Sequence, residues 1–133
     1  MEALTFDDNS IDIHITQDVM EHVFNPAQAF REIARTLKPK GAHIFTTPLT
    51  EKERPSCACA ALGGDGELVH YREPEYHGNP VSSKGSLVTY RWGYDIVNFI
   101  ASSCGLSTTM VYINSDKNGI EAEYIEVLVT RKP

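Results

Sequence analysis

Apolar and polar residues alternate strictly from Ile11 to Thr16. Ile11, Ile13 and Ile15 fall on one face and Asp12, His14 and Thr16 on the other, the period of a β-strand. The turn formers Asp7-Asp8-Asn9-Ser10 precede it and launch the strand. A buried parallel strand is usually apolar on both faces, so the polar set predicts a face that is thinly covered or polar by design. The period then lengthens: Phe30, Ile33, Ala34 and Leu37 recur at three- and four-residue steps while Arg31, Glu32 and Arg35 lie off that stripe, predicting an amphipathic helix packed on a sheet. Asn25 is placed to cap it, Pro26 falls at N1 where its missing N–H costs nothing, and Gln28 falls at N3 as in a capping box. Pro39 ends the helix, Gly41 permits the reversal, and Ala42-His43-Ile44-Phe45-Thr46-Thr47 reads as a second strand stopped by Pro48.

Strand, helix and strand make a βαβ unit. Its right-handed crossover puts the two strands parallel and adjacent, with the loop 17–24 at the carboxyl end of the first, where open α/β sheets bind ligands. From Leu49 to about Tyr90 the period is lost among Pro, Gly, Ser and charge, which predicts a lid or binding loop leaving the same edge. Gly63-Gly64-Asp65-Gly66 lacks a preceding strand and a following helix, so it is read as a turn and not a phosphate loop. Tyr71, Tyr76, Trp92 and Tyr94 bracket the segment Glu73 to Pro80, which either closes over a small ligand or fixes the loop to the body. Tyr94 to Cys104 predicts a well-buried helix stopped by Gly105, with Cys104 as a small core residue. Thr108–Ile113 and Glu123–Thr130, separated by the turn chemistry of Asn114 to Gly119, predict a terminal antiparallel hairpin. The expected organisation is one α/β domain over 1–133: a βαβ core at 1–48, a lid or acceptor loop at 49–90, and a helix with a β-hairpin at 91–133.

Composition narrows the classes. At 133 residues, 41% hydrophobic and 23% charged, the chain suits one soluble globular domain, and no apolar run approaches the roughly 18 residues of a membrane span. A net charge of −6 with scattered Lys and Arg offers no stripe to neutralise a phosphate backbone, which argues against nucleic acid. No secretory leader opens the sequence, and three cysteines without a framework spacing fit a reducing compartment, so the expected location is cytoplasmic.

Candidate chemistry clusters at the βα loop. Asp18-x-x-Glu21-His22 offers three ligands for a divalent ion, but Glu21 and His22 are equally suited to satisfying backbone groups around the turn, and no metal is assigned. Cys57-x-Cys59 with His70 and His77 supplies four potential zinc ligands at a spacing tighter than structural sites use. His14 is read as a hydrogen-bonded strand residue. His22 and His77 are the candidate general bases, imidazole being suited to removing a proton near neutral pH.

Phe6-Asp7-Asp8-Asn9-Ser10-Ile11-Asp12, Asp18-Val-Met-Glu-His-Val, Asn25-Pro26 and Arg31-Glu-Ile-Ala-Arg-Thr-Leu-Lys-Pro-Lys-Gly41 together resemble the class I S-adenosylmethionine-dependent methyltransferases of the small-molecule group, type 11. The first third of the chain carries the resemblance; the later helix and hairpin fit that family's carboxyl half in order and type. It implies a partial Rossmann-like sheet of about four strands, a parallel pair plus an antiparallel terminal hairpin, in which the Ile11 strand is the family's fourth and the Ala42 strand its fifth. It also implies S-adenosylmethionine as cofactor and a small-molecule methyl acceptor, with Thr16, Gln17, Asp18 and Glu21 beside the methionine moiety and the lid around His77 shaping the acceptor pocket. The family's Gly-rich turn and ribose-binding acidic residue are absent from these 133 residues and are expected ahead of Met1, so weak or absent cofactor binding is expected of this chain alone. Lys40 stands where the family usually has the first glycine of Lys-Pro-Gly-Gly. Without its usual neighbour the Ile11 strand is left as an open edge, predicting a homo-oligomer or a complementing amino-terminal half. The alternative to an enzyme is a non-catalytic subunit acting through that edge.

Overall fold

A computed structural model describes residues 1–79 and 82–133; Pro80, which closes the aromatic-bracketed segment, lies outside them. The strands are β1 (Ile11–Gln17), β2 (Leu37–Thr46), β3 (Cys57–Ala58), β4 (Ala60–Leu62), β5 (Leu68–His70), β6 (Tyr76–Asn79), β7 (Ser82–Leu87), β8 (Tyr90–Arg91), β9 (Ser107–Tyr112) and β10 (Glu126–Arg131). Two α-helices, α1 (Pro26–Thr36) and α2 (Ile96–Cys104), accompany them. The main sheet has the order β1-β2-β10-β9. β1 and β2 are parallel, and β10 runs antiparallel to both β2 and β9. The predicted βαβ unit and terminal hairpin are therefore present, with the last strand inserted between β2 and β9.

Helix α1 begins as its sequence dictates: the Asn25 side chain accepts from the Gln28 N–H at 3.1 Å, with Pro26 in the first turn. The reciprocal half of the box comes from elsewhere. Glu2 Oε1 accepts from the Asn25 N–H at 2.9 Å, while Gln28 turns outward to Arg31. Inside β2, where the register against β1 jumps between Leu37 and Ala42, the left-handed residue is Lys40, at φ 67°, and not Gly41. Gly41 is required for a different reason: a Cβ there would lie 2.8 Å from the Lys38 carbonyl oxygen and 2.9 Å from that of Asp12, closer than real contacts allow.

The core lies on one face of the sheet. Phe30 and Ile33 of α1, Ile96 and Ile100 of α2, and Trp92 pack with Phe45 and Leu128. Trp92 is fully buried and donates through Nε1 to the Met20 carbonyl at 3.2 Å, so this aromatic fixes the lid to the body. The orientation of β1 differs from a simple reading of its alternation, because its isoleucines form the uncovered face. Ile13 is 55% and Ile15 75% exposed, and Ile15 lines a shallow apolar groove with Ile44 and Val127. His14 and Thr16 of the polar set lie on the helix side, while Asp12 is exposed and pairs with Lys38. His14 Nε2 is 2.8 Å from Thr36 Oγ1, and Thr16 Oγ1 is 2.9 Å from His43 Nε2. Mutual hydrogen bonding reduces the penalty of putting those groups at a helix–sheet interface, although His43 Nδ1 stays buried without a partner among the described residues.

The segment 49–90, expected to be irregular, folds into short antiparallel pairs: β4 with β5, β6 with β7, and β3 with β8. Gly63-Gly64-Asp65-Gly66 is the β4–β5 turn, in which the Gly66 N–H donates to the Gly63 carbonyl at φ 82°.

Candidate functional site

At the carboxyl ends of β1 and β2 the chain forms a cleft of about 280 Å³ lined by Gln17, Asp18, Thr46, Thr47, Pro48, Tyr124 and Glu126. This is the edge expected from the βαβ topology. Asp18 leaves β1 in the left-handed region at φ 50°, with its N–H donating to the Thr46 carbonyl and its carboxylate accepting from Thr46 Oγ1 at 3.2 Å. A non-glycine residue held there by two bonds is the local strain that sharp functional turns carry. Across the cleft stands Glu126, buried at the start of β10, whose carboxylate accepts from the Ile125 N–H and from Tyr94 Oη at 3.4 Å. Glu126 escapes sequence reasoning. Its only signal is a carboxylate opening an otherwise apolar strand, Val127-Leu128-Val129.

Beyond the cleft wall lies a second group. Glu21 is 2% exposed and its Oε2 accepts from Thr47 Oγ1 at 2.9 Å, so one residue, Thr47, borders the cleft and holds this carboxylate. Glu21 Oε1 is buried without a hydrogen-bond partner among the described residues. His22 Nε2 stands 3.7 Å from that oxygen and His77 Nδ1 4.0 Å. The two imidazoles meet edge to face with centroids 5.1 Å apart. The loop carrying Glu21 and His22 is pinned by the end of the lid: the N–H groups of Thr89 and Tyr90 donate to the Glu21 carbonyl, and Thr89 Oγ1 to the Val23 carbonyl at 2.8 Å. His22 Nδ1 is 2.7 Å from the Leu87 carbonyl. His77 comes from β6. Opposite it Gly85, at φ 77°, leaves no room for a side chain, since a Cβ would fall 2.5 Å from the His77 carbonyl. Behind His77, Nε2 is 3.7 Å from Glu75, whose carboxylate is held below its ordinary range by the Arg91 guanidinium bonded to it at 2.6 Å.

Of the residues expected at the cofactor, Gln17 and Asp18 line the cleft. Thr16 spends its hydroxyl on His43, and Glu21 sits behind Thr47. The general-base candidates His22 and His77 are brought together. His22 satisfies a backbone group, as one reading expected, but a carbonyl of the lid and not of the βα turn; Glu21 bonds a hydroxyl instead. Asp18 is not part of the group around Glu21. Nor do Cys57, Cys59 and His70 join His77: among the described residues the one convergence of three such ligand side chains is Glu21, His22 and His77.

Comparison with known proteins agrees with this architecture. Residues 1–45 match the family model of a methyltransferase domain. Glycine/sarcosine/dimethylglycine N-methyltransferase of Actinopolyspora halophila is 38% identical over 48 residues, 36% of this chain and 8% of that protein. An S-adenosylmethionine-dependent methyltransferase from Mesorhizobium loti superposes with a TM-score of 0.61 at 16% identity, over 98% of this chain and 66% of that one. The Burkholderia thailandensis 1,6-didemethyltoxoflavin-N1-methyltransferase, solved with 1,6-didemethyltoxoflavin and S-adenosylhomocysteine, superposes with a TM-score of 0.54 at 12% identity, over 98% and 47%. The chain thus spans less than a tenth of the curated relative and 66% and 47% of the two solved chains. The family match and the shared architecture identify a class I S-adenosylmethionine-dependent methyltransferase fold.

Proposed function

We propose that this chain contributes the acceptor-side wall of a methyltransferase site that moves a methyl group from S-adenosylmethionine to a small-molecule acceptor. The observation that carries this reading is the polar cleft at the carboxyl ends of β1 and β2, bordered by Asp18 and Glu126, in a chain with this fold. The residues fit the group. Two carboxylates make the cleft attractive to a cation, and the methionine end of S-adenosylmethionine is net positive, a sulfonium and an ammonium against one carboxylate. At about 280 Å³ the cleft falls just below the roughly 300–1,000 Å³ of pockets that enclose a drug-sized ligand, so it takes one end of the cofactor and not the whole. When bound, the cofactor supplies an electrophilic methyl group. Gln17 and Asp18 would orient it, and His22 or His77 would take the proton that the acceptor's hydroxyl or amine gives up as its lone pair bonds to the methyl carbon and the carbon–sulfur bond breaks to leave the thioether.

Titration calorimetry tests the reading on the isolated chain. Weak binding of S-adenosylhomocysteine, with Asp18→Asn and Glu126→Gln lowering the preference for S-adenosylmethionine over that net-neutral product, is the expected result, and micromolar affinity would strengthen the reading. Absence of heat with either ligand would favour a second reading. That reading rests on the uncovered isoleucine face beside the β1 edge. There the chain is a subunit that docks a companion α/β segment, which adds a strand to β1 and covers the sheet, as parallel sheets require on both faces.

A further inference from the structure

We propose that Glu21, His22 and His77 bind one divalent transition-metal ion of the zinc class. The inference goes beyond methyl transfer and stands whether or not that reading holds. With the ion bound both imidazole lone pairs are occupied, so the proton-accepting role given to His22 or His77 belongs to the metal-free chain. It starts from lone pairs. A backbone carbonyl only accepts, so His22 Nδ1, 2.7 Å from the Leu87 carbonyl, carries the proton and donates. In the neutral ring this leaves Nε2 as a bare lone pair, and it faces Glu21 Oε1, another acceptor. His77 repeats the arrangement. Its Nε2 lies 3.7 Å from the Glu75 carboxylate and its Nδ1 4.0 Å from the same Glu21 oxygen; in the tautomer protonated toward Glu75, the Nδ1 lone pair faces that oxygen. Three electron pairs thus converge on one point, and the oxygen among them is buried with no donor. A positive charge between them resolves this.

Distance decides which charge. A proton shared between imidazole and carboxylate draws the heavy atoms to about 2.7–2.9 Å, whereas the separations are 3.7 and 4.0 Å, with all three ligand atoms within 4.8 Å of one another. Neighbouring ligands on a tetrahedral zinc, each about 2.0–2.1 Å from the ion, stand roughly 3.3 Å apart. The present spacing therefore needs a contraction of well under 1 Å at the carboxylate and of up to about 1.5 Å between the two imidazole nitrogens, along the β6 strand that carries half-exposed His77.

The surroundings have the form such sites take. Metal-bound histidines usually donate their second N–H to a carbonyl or carboxylate; His22 has the Leu87 carbonyl and His77 has Glu75, itself anchored by Arg91. The ligands are fixed by the Thr89 and Tyr90 bonds to the loop and by the close approach at Gly85. Two imidazoles and one carboxylate select zinc, cobalt or nickel over magnesium or calcium, which take oxygen ligands. Three protein ligands leave the fourth position open, the arrangement of a reactive and not a structural zinc.

The test is titration of the full chain with zinc alone and with cobalt alone. One equivalent of zinc binds, and the cobalt-loaded protein shows the ligand-field absorption of a four-coordinate ion with nitrogen and oxygen ligands. His77→Ala lowers affinity at least about tenfold, the least that losing even a supporting partner costs such sites. Glu21→Gln does the same; because Glu21 is buried, circular dichroism must establish that this variant is folded, and His77→Ala, on an exposed hairpin, serves independently. Cys57→Ser and Cys59→Ser leave binding unchanged. No zinc heat and no cobalt absorption in the folded chain would overturn the proposal, as would binding that survives both ligand variants. None of these readouts uses S-adenosylmethionine or an acceptor, so failure of cofactor binding and failure of metal binding are told apart.

Discussion

His43 sits fully buried on the helix side of β2, stacked on Phe45 with ring centroids 4.3 Å apart, and hydrogen-bonded through Nε2 to Thr16. Burial, reinforced by nearby His14, pushes its pKa down to about 3, and burial lowers that of His14 as well. The folded chain therefore refuses a proton that the unfolded chain takes up near pH 6.5. Between those values the unfolded state binds more protons, so stability is full above about pH 6.5 and falls as pH drops toward 3, by at most about 1.4 kcal/mol per pH unit. Glu32 acts lower in the range: Arg35 holds its pKa at about 2, so its contribution is present above the ordinary carboxylate value and is lost as pH falls through about 2. Melting temperature is expected to drop by several degrees between about pH 7 and pH 5, and His43→Phe, which keeps the stack on Phe45, flattens that dependence. Equal pH slopes in parent and variant would remove His43 as the cause. The strand's alternation did not reveal this pairing, because period two separates two faces without saying which is inward. Only the register His14↔His43 brings Thr16 to His43 Nε2, while His43 Nδ1 stays buried without a partner among the described residues.

The elements that the chain announces locally are those with capping and stop chemistry of their own. Asn25-Pro26 opens α1 and Gly105, at φ 75°, closes α2, both within a turn of where the sequence puts them. The hairpins of 57–91 were not legible, since β3 and β8 have two residues each and are held by partners far along the chain. For the same reason nothing in the sequence joins His77 to Glu21: the β6–β7 hairpin and the Leu87 carbonyl bring them together. At the irregularity early in β2, the residue that departs from the family pattern is the one that bears the strained geometry. Lys40 adopts φ 67° with an exposed side chain, while its N–H donates to the Lys132 carbonyl at 3.0 Å. A left-handed conformation costs a non-glycine residue roughly 1–2 kcal/mol, offset in part by glycine's greater freedom when unfolded. Lys40→Gly is therefore expected to stabilise the chain by up to about 1 kcal/mol and to raise the melting temperature by a few degrees, whereas Gly41→Ala lowers it through contact with the Lys38 and Asp12 carbonyls. A lower melting temperature for Lys40→Gly would show that the turn is unstrained.

At the scale of the whole molecule, both helices and the buried core lie on one side of the main sheet, and an isoleucine and valine surface lies on the other. Ile15, at 75% exposure, and Ile13, at 55%, stand on β1, which is also an edge of the sheet among the described residues. Two independent drives meet there. Burying one isoleucine is worth about 1.5–3 kcal/mol, and an edge strand presents a row of unpaired backbone donors and acceptors to any neighbouring strand. No helix of the described residues is long and apolar enough to cross a membrane, so burial in a bilayer by a helical span does not account for the surface. In a solution of the isolated chain, the matching surface is that of a second copy. Light scattering is therefore expected to give a mass that rises with concentration, against the mutual repulsion of net charge −6. Ile15→Lys, which puts a charge at the centre of the face and a blunting residue on the edge without touching the helix-side core, shifts the population toward monomer. It leaves the melting profile of the dilute chain unchanged, because the side chain is already in water. A mass equal to one chain at every concentration would mean that neither the face nor the edge drives association, and the subunit reading would lose its observation.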